Sequence, residues 1–350
     1  GFSRKQTGKK GPRQLWVYDD PRSQGNQVLA SRINPYLIDA AEVVVGSRST
    51  PLSTELPPML WGSKPTDNGQ LSKITPEEAA EIQHRDPIAA KYLRRIIGAQ
   101  ELISNIERHC LWLENVEPSD IASSPEIKRR VEAVRDFRLA SPASLTRENS
   151  KISHLFVQRA QPDDKYIAVP RVSSETRSYV PMGYQSPDVI ASDALLTVPN
   201  AGLDTFSVLM SRPFNAWNRT VSGRLKSDTR ISQEITYNNF PLPALTDEQK
   251  GQLEVHGQAL LDARGQFPSS SLADLYGPSS MPEPLLRAHQ ANDKAVLQVF
   301  GLKPKATDEE ILSRLFTLYS EMTSGLLEMH RVRVKSKREP EPLRPRASGL

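Results

Sequence analysis

Cysteine is almost absent from this chain: Cys110 stands alone among 350 residues. That excludes an intrachain disulfide and a zinc ribbon, and it suits a reducing, cytoplasmic compartment. Long apolar runs are absent as well, so no segment reads as a bilayer span and no membrane partner is expected. The six histidines show no metal-ligand spacing, so no metal ligand is assigned. No glycine-rich loop follows a strand-like run, which removes the phosphate-cradling loop of nucleotide hydrolases and the dinucleotide fingerprint. The first residues, GFSRKQ, contain no methionine and no signal-peptide pattern, and read as part of a longer protein.

What is present is a proline-rich, polar chain of globular composition. Apolar residues make up 37%, mean hydropathy is −0.49, and 28 prolines punctuate the sequence, so long connections and extended segments are expected. The length allows two or three domains. Net charge is +4, but the tails at 1–13 and 331–350 together carry +10, leaving a body of −6. Such tails read as solvated. Inside that acidic body, residues 205–232 hold five Lys/Arg and only Asp228. This local reversal of sign is where a polyanion would be met.

Local signals place the elements. RQLWVYDD reads as loop and short strand, and Val43–Val45 as an extended apolar run. Thr75 and Glu78 form a capping box with Pro76 at the first helical position. HCLWLENV alternates like a strand. Ser124 and Pro125 open a helix whose Ile127, Val131 and Val134 share a face, with Lys128, Arg129, Arg130 and Arg135 on a solvated one. Strand-like runs follow at 166–169, 178–182 and 194–198. A compact helical stretch should bury Phe206, Leu209 and Met210. After Pro243 the chain is helical, with capping boxes at Thr246/Gln249 and Thr307/Glu310.

Few motifs point to chemistry. PDDK at 162–165 reads as a surface turn, since its carboxylates and lysine are not spread over strands. NPYL at 34–37 is similar to the NPPY of adenine methyltransferases, but its second proline is missing and no cofactor-binding segment precedes it. No catalytic residue is therefore assigned. The run GRLKSDTRIS crowds Arg224, Lys226, Asp228 and Arg230 between apolar stretches. Two readings of it stand: a surface pair Lys226–Asp228 of little energetic weight, or a loop that reads base edges. A second polar cluster, RVSSETR, lies between strand candidates. Arg171, Ser173, Ser174 and Arg177 suit phosphate contact, and Glu175 suits either the same surface or a buried arginine.

Several long motifs occur in order: INPYLIDAAEVVVGSRSTPL, RRIIGAQELI, RHCLWL, VEAVRDFRLAS, VPRVSSETRSYVPMG, SPDVIASDAL and GRLKSD…YNNFP. Up to about Phe300 the chain resembles the C-terminal half of the Mme-type (type IIL) restriction–modification enzymes. Those join a nuclease, an adenine-N6 methyltransferase, a target recognition domain and a helical end piece in one polypeptide. The resemblance implies an α+β fold, a mixed α/β target recognition domain followed by an all-α helical C-terminal domain. It divides the chain into the end of a methyltransferase domain and linker (1–55), a DNA target recognition domain (56–245), the helical domain (246–330) and a basic tail (331–350). The methyltransferase motifs would lie upstream, so NPYL would not be one of them.

The resemblance further implies that Lys226 and Asp228, with Arg230 beside them, read bases. It makes Arg224, Ser227 and the RVSSETR residues Arg171, Ser173, Ser174, Glu175 and Arg177 the surrounding DNA contacts. The partners would be double-stranded DNA and the upstream methyltransferase domain of the same polypeptide. That parent would use S-adenosylmethionine and Mg2+, with no cofactor expected in this chain, which alone would bind DNA weakly and catalyse nothing. The alternative is a structural or assembly module of a DNA-modifying enzyme, with only non-specific DNA contact. The sequence departs from its relatives at Thr229 and Ile231, where they often carry aromatics, and at Leu242, where they often carry tryptophan. Any stacking or packing by those rings is missing here.

Overall fold

The computed structural model describes residues 13–17 and 24–336, with side chains at 13–16 and 24–324. Residues 1–12, the start of the expected methyltransferase remnant, and 337–350, most of the basic tail, lie outside it. The tail's first six residues continue the last helix, Asp308–Ser336.

A four-stranded antiparallel sheet forms the centre, in the order Leu60–Trp61, Leu195–Pro199, Tyr166–Pro170, Gly183–Gln185. Its two inner strands are buried on both faces, which is why they read as continuous apolar runs. Alternation sends Ile167, Val169, Leu196 and Val198 into the main core, and Tyr166, Ala168 and Leu195 into a smaller one behind it. The expected strand at 178–182 does not form. Tyr179, Val180 and Met182 are buried, but the Val180 N–H is satisfied by the Asn215 side chain at 2.9 Å rather than by a ladder. The run at Val43–Val45 likewise stays outside any sheet: the Tyr36 hydroxyl accepts from Val45 N at 3.0 Å.

A lobe to one side carries a second sheet, His109–Leu111, Leu93–Ile97 and Ile190–Ala191. Two helices cover it, Pro76–Arg85 and Pro125–Leu139. The first starts on the Thr75–Glu78 capping box and the second on Ser124 with Pro125. The arginines of the second helix do not all face water. Arg130 is buried and bonds Glu126 and the Gln70 carbonyl. Two turns further along the same helix, Arg138 is fully buried and donates to the carbonyls of Pro65, Thr66, Asn149, Ile152 and Leu155 at 2.8–3.0 Å. One guanidinium thus ends the hydrogen-bond needs of two loops.

Helices Leu203–Leu209 and Arg212–Val221 follow the central sheet, and Phe206, Leu209 and Met210 are buried as expected. The C-terminal helices Asp247–Gly265, Glu283–Val299 and Asp308–Ser336 pack on these two. They share their core: one apolar cluster runs from Ala40 to Tyr319. Trp217 sits at its middle, with ring centroids 5.2 Å from Phe316, 5.9 Å from Tyr319 and 6.4 Å from Phe240. At Gly257 the helix backbone lies against the Leu203 carbonyl, leaving no room for a side chain. A mixed α+β body followed by a helical end is therefore the architecture, with no apolar gap between the two.

Candidate nucleic-acid interface

The GRLKSDTRIS run folds as a β-hairpin. Gly223–Leu225 pairs antiparallel with Asp228–Arg230, Leu225 opposite Asp228, so Lys226 and Ser227 make the turn. Lys226 adopts φ +57°, a left-handed conformation that a lysine enters at a cost of roughly 1–2 kcal/mol. The hairpin's second strand pairs in turn with Val172–Ser173, Thr229 opposite Ser173 and Arg230 opposite Val172. The two polar clusters, about fifty residues apart in sequence, are thereby neighbouring strands of one small sheet.

Pleating divides this sheet into two faces. Arg224, Thr229 and Ser173 point one way, and Thr229 and Ser173 are buried. The Arg224 guanidinium folds along that side, donating to the Thr229 hydroxyl at 3.0 Å, the Ser227 carbonyl at 3.2 Å and the Arg219 carbonyl at 2.8 Å. Leu225, Asp228 and Arg230 point the other way, outward, beyond them Lys226 at the tip. Asp228 turns to the backbone N–H of Glu175 at 3.4 Å, and among the described residues no ion pair joins it to Lys226.

The RVSSETR segment is arranged in two parts. Arg171 is half-buried beside the sheet. Its guanidinium lies 4.2 Å from the centroid of Trp61 and donates to the Asp193 carbonyl at 2.8 Å, while its own carbonyl accepts from Ile231 N at 2.8 Å. Burial, and then the neighbouring Arg230 charge, pulls its pKa below the usual arginine value. Ser174 closes a tight turn with Thr176, hydroxyl to hydroxyl at 3.0 Å, and Arg177 N donates to the Ser174 carbonyl at 3.2 Å. Glu175 is exposed at the turn.

Behind this turn a cleft of about 460 Å³ opens between Arg177, Arg212, Arg219 and Asp308. Asp308, in the first turn of the last helix, accepts from Arg212 at 2.7 Å and Arg219 at 3.5 Å. Neither the cleft nor the Trp61–Arg171 stack nor the outward Leu225 was singled out in the sequence. Leu225 in particular gives no signal to a reading led by charge.

The YNNFP motif holds the hairpin's exit. Asn238 Nδ2 donates to the Arg48 carbonyl, and Asn239 Nδ2 to those of Gly46 and Glu234, at 2.7–2.8 Å. The Tyr237 hydroxyl donates to the Pro57 carbonyl at 2.7 Å. Thr229, Ile231 and Leu242, the three departures from the relatives, are all buried. Larger rings at those places would have to pack inside the frame rather than on its outward face.

Residues 39–244 match the family described as MmeI, target recognition domain, and residues 245–327 match that described as MmeI, C-terminal domain. The chain belongs to the MmeI target recognition domain family. Among individual proteins, it is 36% identical over 295 residues to DNA methyltransferase A of Bacillus subtilis (strain 168), covering 84% of this chain and 33% of that protein. The solved structure of the type IIL restriction-modification enzyme MmeI in complex with DNA superposes with a TM-score of 0.84 at 38% identity, covering 91% of this chain and 42% of that one. The chain therefore spans about a third of the curated relative and under half of the solved one.

Proposed function

We propose that this chain is the sequence-specific double-stranded DNA recognition segment of a bifunctional type II restriction endonuclease and adenine-N6 DNA methyltransferase, acting in the cytoplasm. The observation that carries the reading is the outward face of the hairpin, where Asp228 and Arg230 share one side and Lys226 stands at the tip. A two-stranded ribbon fits the major groove. There a lysine ammonium can donate to O6 and N7 of guanine, and a carboxylate can accept from N4 of cytosine. Lys226 and Asp228 together would read both halves of one G·C pair. Arg230 reads beside them, while Arg171, Ser174, Glu175, Arg177 and Ser227 line the approach. Arg224 and buried Ser173 hold the sheet in shape.

The relatives support a reading of the wider enzyme. A methyltransferase domain upstream in the same polypeptide would take an adenine out of the stack while this segment holds the duplex, against an unstacking cost of roughly a few kcal/mol. S-adenosylmethionine and Mg2+ would serve those upstream domains. Among the described residues no three of His, Cys, Asp and Glu gather as metal ligands, and no step is assigned to a metal held by this chain. No described helix is long and apolar enough to cross a membrane. The proposed division into a recognition domain (56–245) and a helical domain (246–330) is compatible with an apolar cluster to which both segments contribute.

The test is base discrimination. Duplexes selected by the chain from a randomised pool define its site. Lys226→Ala should then cost about 1–3 kcal/mol on that site and relax preference at one base pair. Equal losses on every duplex would favour an assembly module with non-specific contact. Salt dependence does not separate the two, because any phosphate contact produces it.

A further inference from the structure

Leu225 is the apolar member of the outward face. It is 52% exposed, stands directly across from Asp228, and is followed at once by Lys226. A single exposed leucine is ordinary on a protein surface. This one differs in its position: it closes the hairpin beside the turn, with cationic side chains before and after it in sequence and no place in the apolar clusters. Its neighbour Arg224 points to the opposite face and is held there by three hydrogen bonds. The pleat therefore presents Leu225, not Arg224, wherever Asp228 is presented.

Cross-strand partners have their Cβ atoms about 5 Å apart, and stacked base pairs repeat every ~3.4 Å. When the carboxylate of Asp228 meets one base pair, the leucine side chain reaches the next. Only one base carries an apolar group in the major groove, the 5-methyl of thymine. We propose that Leu225 is a specificity-determining residue that packs on the thymine 5-methyl group of the base pair adjacent to the one addressed by Lys226 and Asp228. The proposal rests on the DNA-reading assignment made above.

The experiment uses the full chain and duplexes selected from a randomised pool, with wild type, Lys226→Ala, Leu225→Ala and Leu225→Met compared. A thymine preference is expected at the position next to the one that Lys226→Ala relaxes. Replacing that thymine by deoxyuracil removes one methyl group and should lower wild-type affinity roughly fourfold. Leu225→Ala should lose the thymine preference, become indifferent to deoxyuracil, and keep the preference at the Lys226 position. Leu225→Met, still apolar and of similar reach, should retain the methyl effect. The proposal is overturned if no thymine is preferred beside the Lys226 position, or if deoxyuracil costs Leu225→Ala as much as wild type. If wild type selects no sequence, or Lys226→Ala relaxes none, the DNA-reading assignment itself falls and Leu225 with it.

Discussion

The Tyr179 hydroxyl donates to the Asp293 carboxylate at 2.6 Å, tying a loop of the β-rich body to the Glu283–Val299 helix. The other carboxylate oxygen accepts the backbone N–H of Arg212 at 2.7 Å. Against the same tyrosine the His289 ring stacks with centroids 3.9 Å apart, its Nε2 3.0 Å from the Tyr276 hydroxyl. Burial pushes Asp293 up to about 6 and His289 down to about 3.

These shifts oppose each other in their effect on stability. Asp293, raised from 3.8, contributes stability that is full below pH 4 and is lost as pH rises to about 6. His289, lowered from 6.5, contributes stability that is full above pH 6.5 and is lost as pH falls towards about 3. Each effect is on the order of a few kcal/mol, the larger from His289, and in the native chain they work against each other between pH 4 and 6. We expect Asp293→Asn to lose stability relative to wild type on going from pH 6.5 to 4, and His289→Gln to lose it in the opposite direction. Urea unfolding at a series of pH values, read as the difference from wild type, checks both signs.

The contact of Gly257 with Leu203 makes a second expectation. A Cβ at 257 would overlap the Leu203 carbonyl and push the two helices apart, so Gly257→Ala should destabilise by about 1–3 kcal/mol. Gly251 lies on the same helix with open space around it. Gly251→Ala should instead stabilise by up to about 1 kcal/mol, from helix propensity alone. Denaturation midpoints of the two variants should fall on opposite sides of wild type.

Arg138 should tolerate no substitute. Removing its guanidinium orphans five carbonyls inside the lobe, and we expect Arg138→Met to cost at least ~3 kcal/mol. Arg138→Lys should be nearly as damaging, because one ammonium cannot reach five acceptors spread round a planar fork. Thermal unfolding of both variants decides this; a small shift for the lysine variant would mean that only the charge matters.

Lys226 should show stability and function moving in opposite senses. Glycine relieves the positive φ at the turn, so Lys226→Gly should raise the unfolding midpoint, by at most about 1 kcal/mol. The same change removes the ammonium and should relax base preference at one position. Lys226→Ala keeps the unfavourable backbone and should gain no stability while losing the same preference. A melting curve and a binding measurement on each variant separate backbone from side chain.

The parts of the fold that were legible in the sequence are those decided locally. Capping boxes at Thr75/Glu78, Thr246/Gln249 and Thr307/Glu310 form as their spacing implies, because both partners lie within one turn. The parts that were not legible depend on distant partners. Arg130 and Arg138 sit on a helix whose sequence looks solvated; their acceptors come from loops up to 73 residues away. The buried segment at 178–182 resembles a strand in composition, yet its backbone is satisfied by the Asn215 side chain on a helix. At the interface, charge pointed to Lys226, Asp228 and Arg230. The pleat that sends Arg224 to one face and Leu225 to the other is set by hairpin register, which no residue count along the chain reveals.

The aromatic knot around Trp217 bears on how such chains are inherited. Phe316 and Tyr319 on the last helix close over an indole that belongs to the β-rich segment. Recombination that exchanged one segment between relatives without the other would mismatch rings fitted to each other and leave both halves with open apolar faces. The stretch up to residue 244 and the helices after it are accordingly expected to pass between lineages as one heritable block.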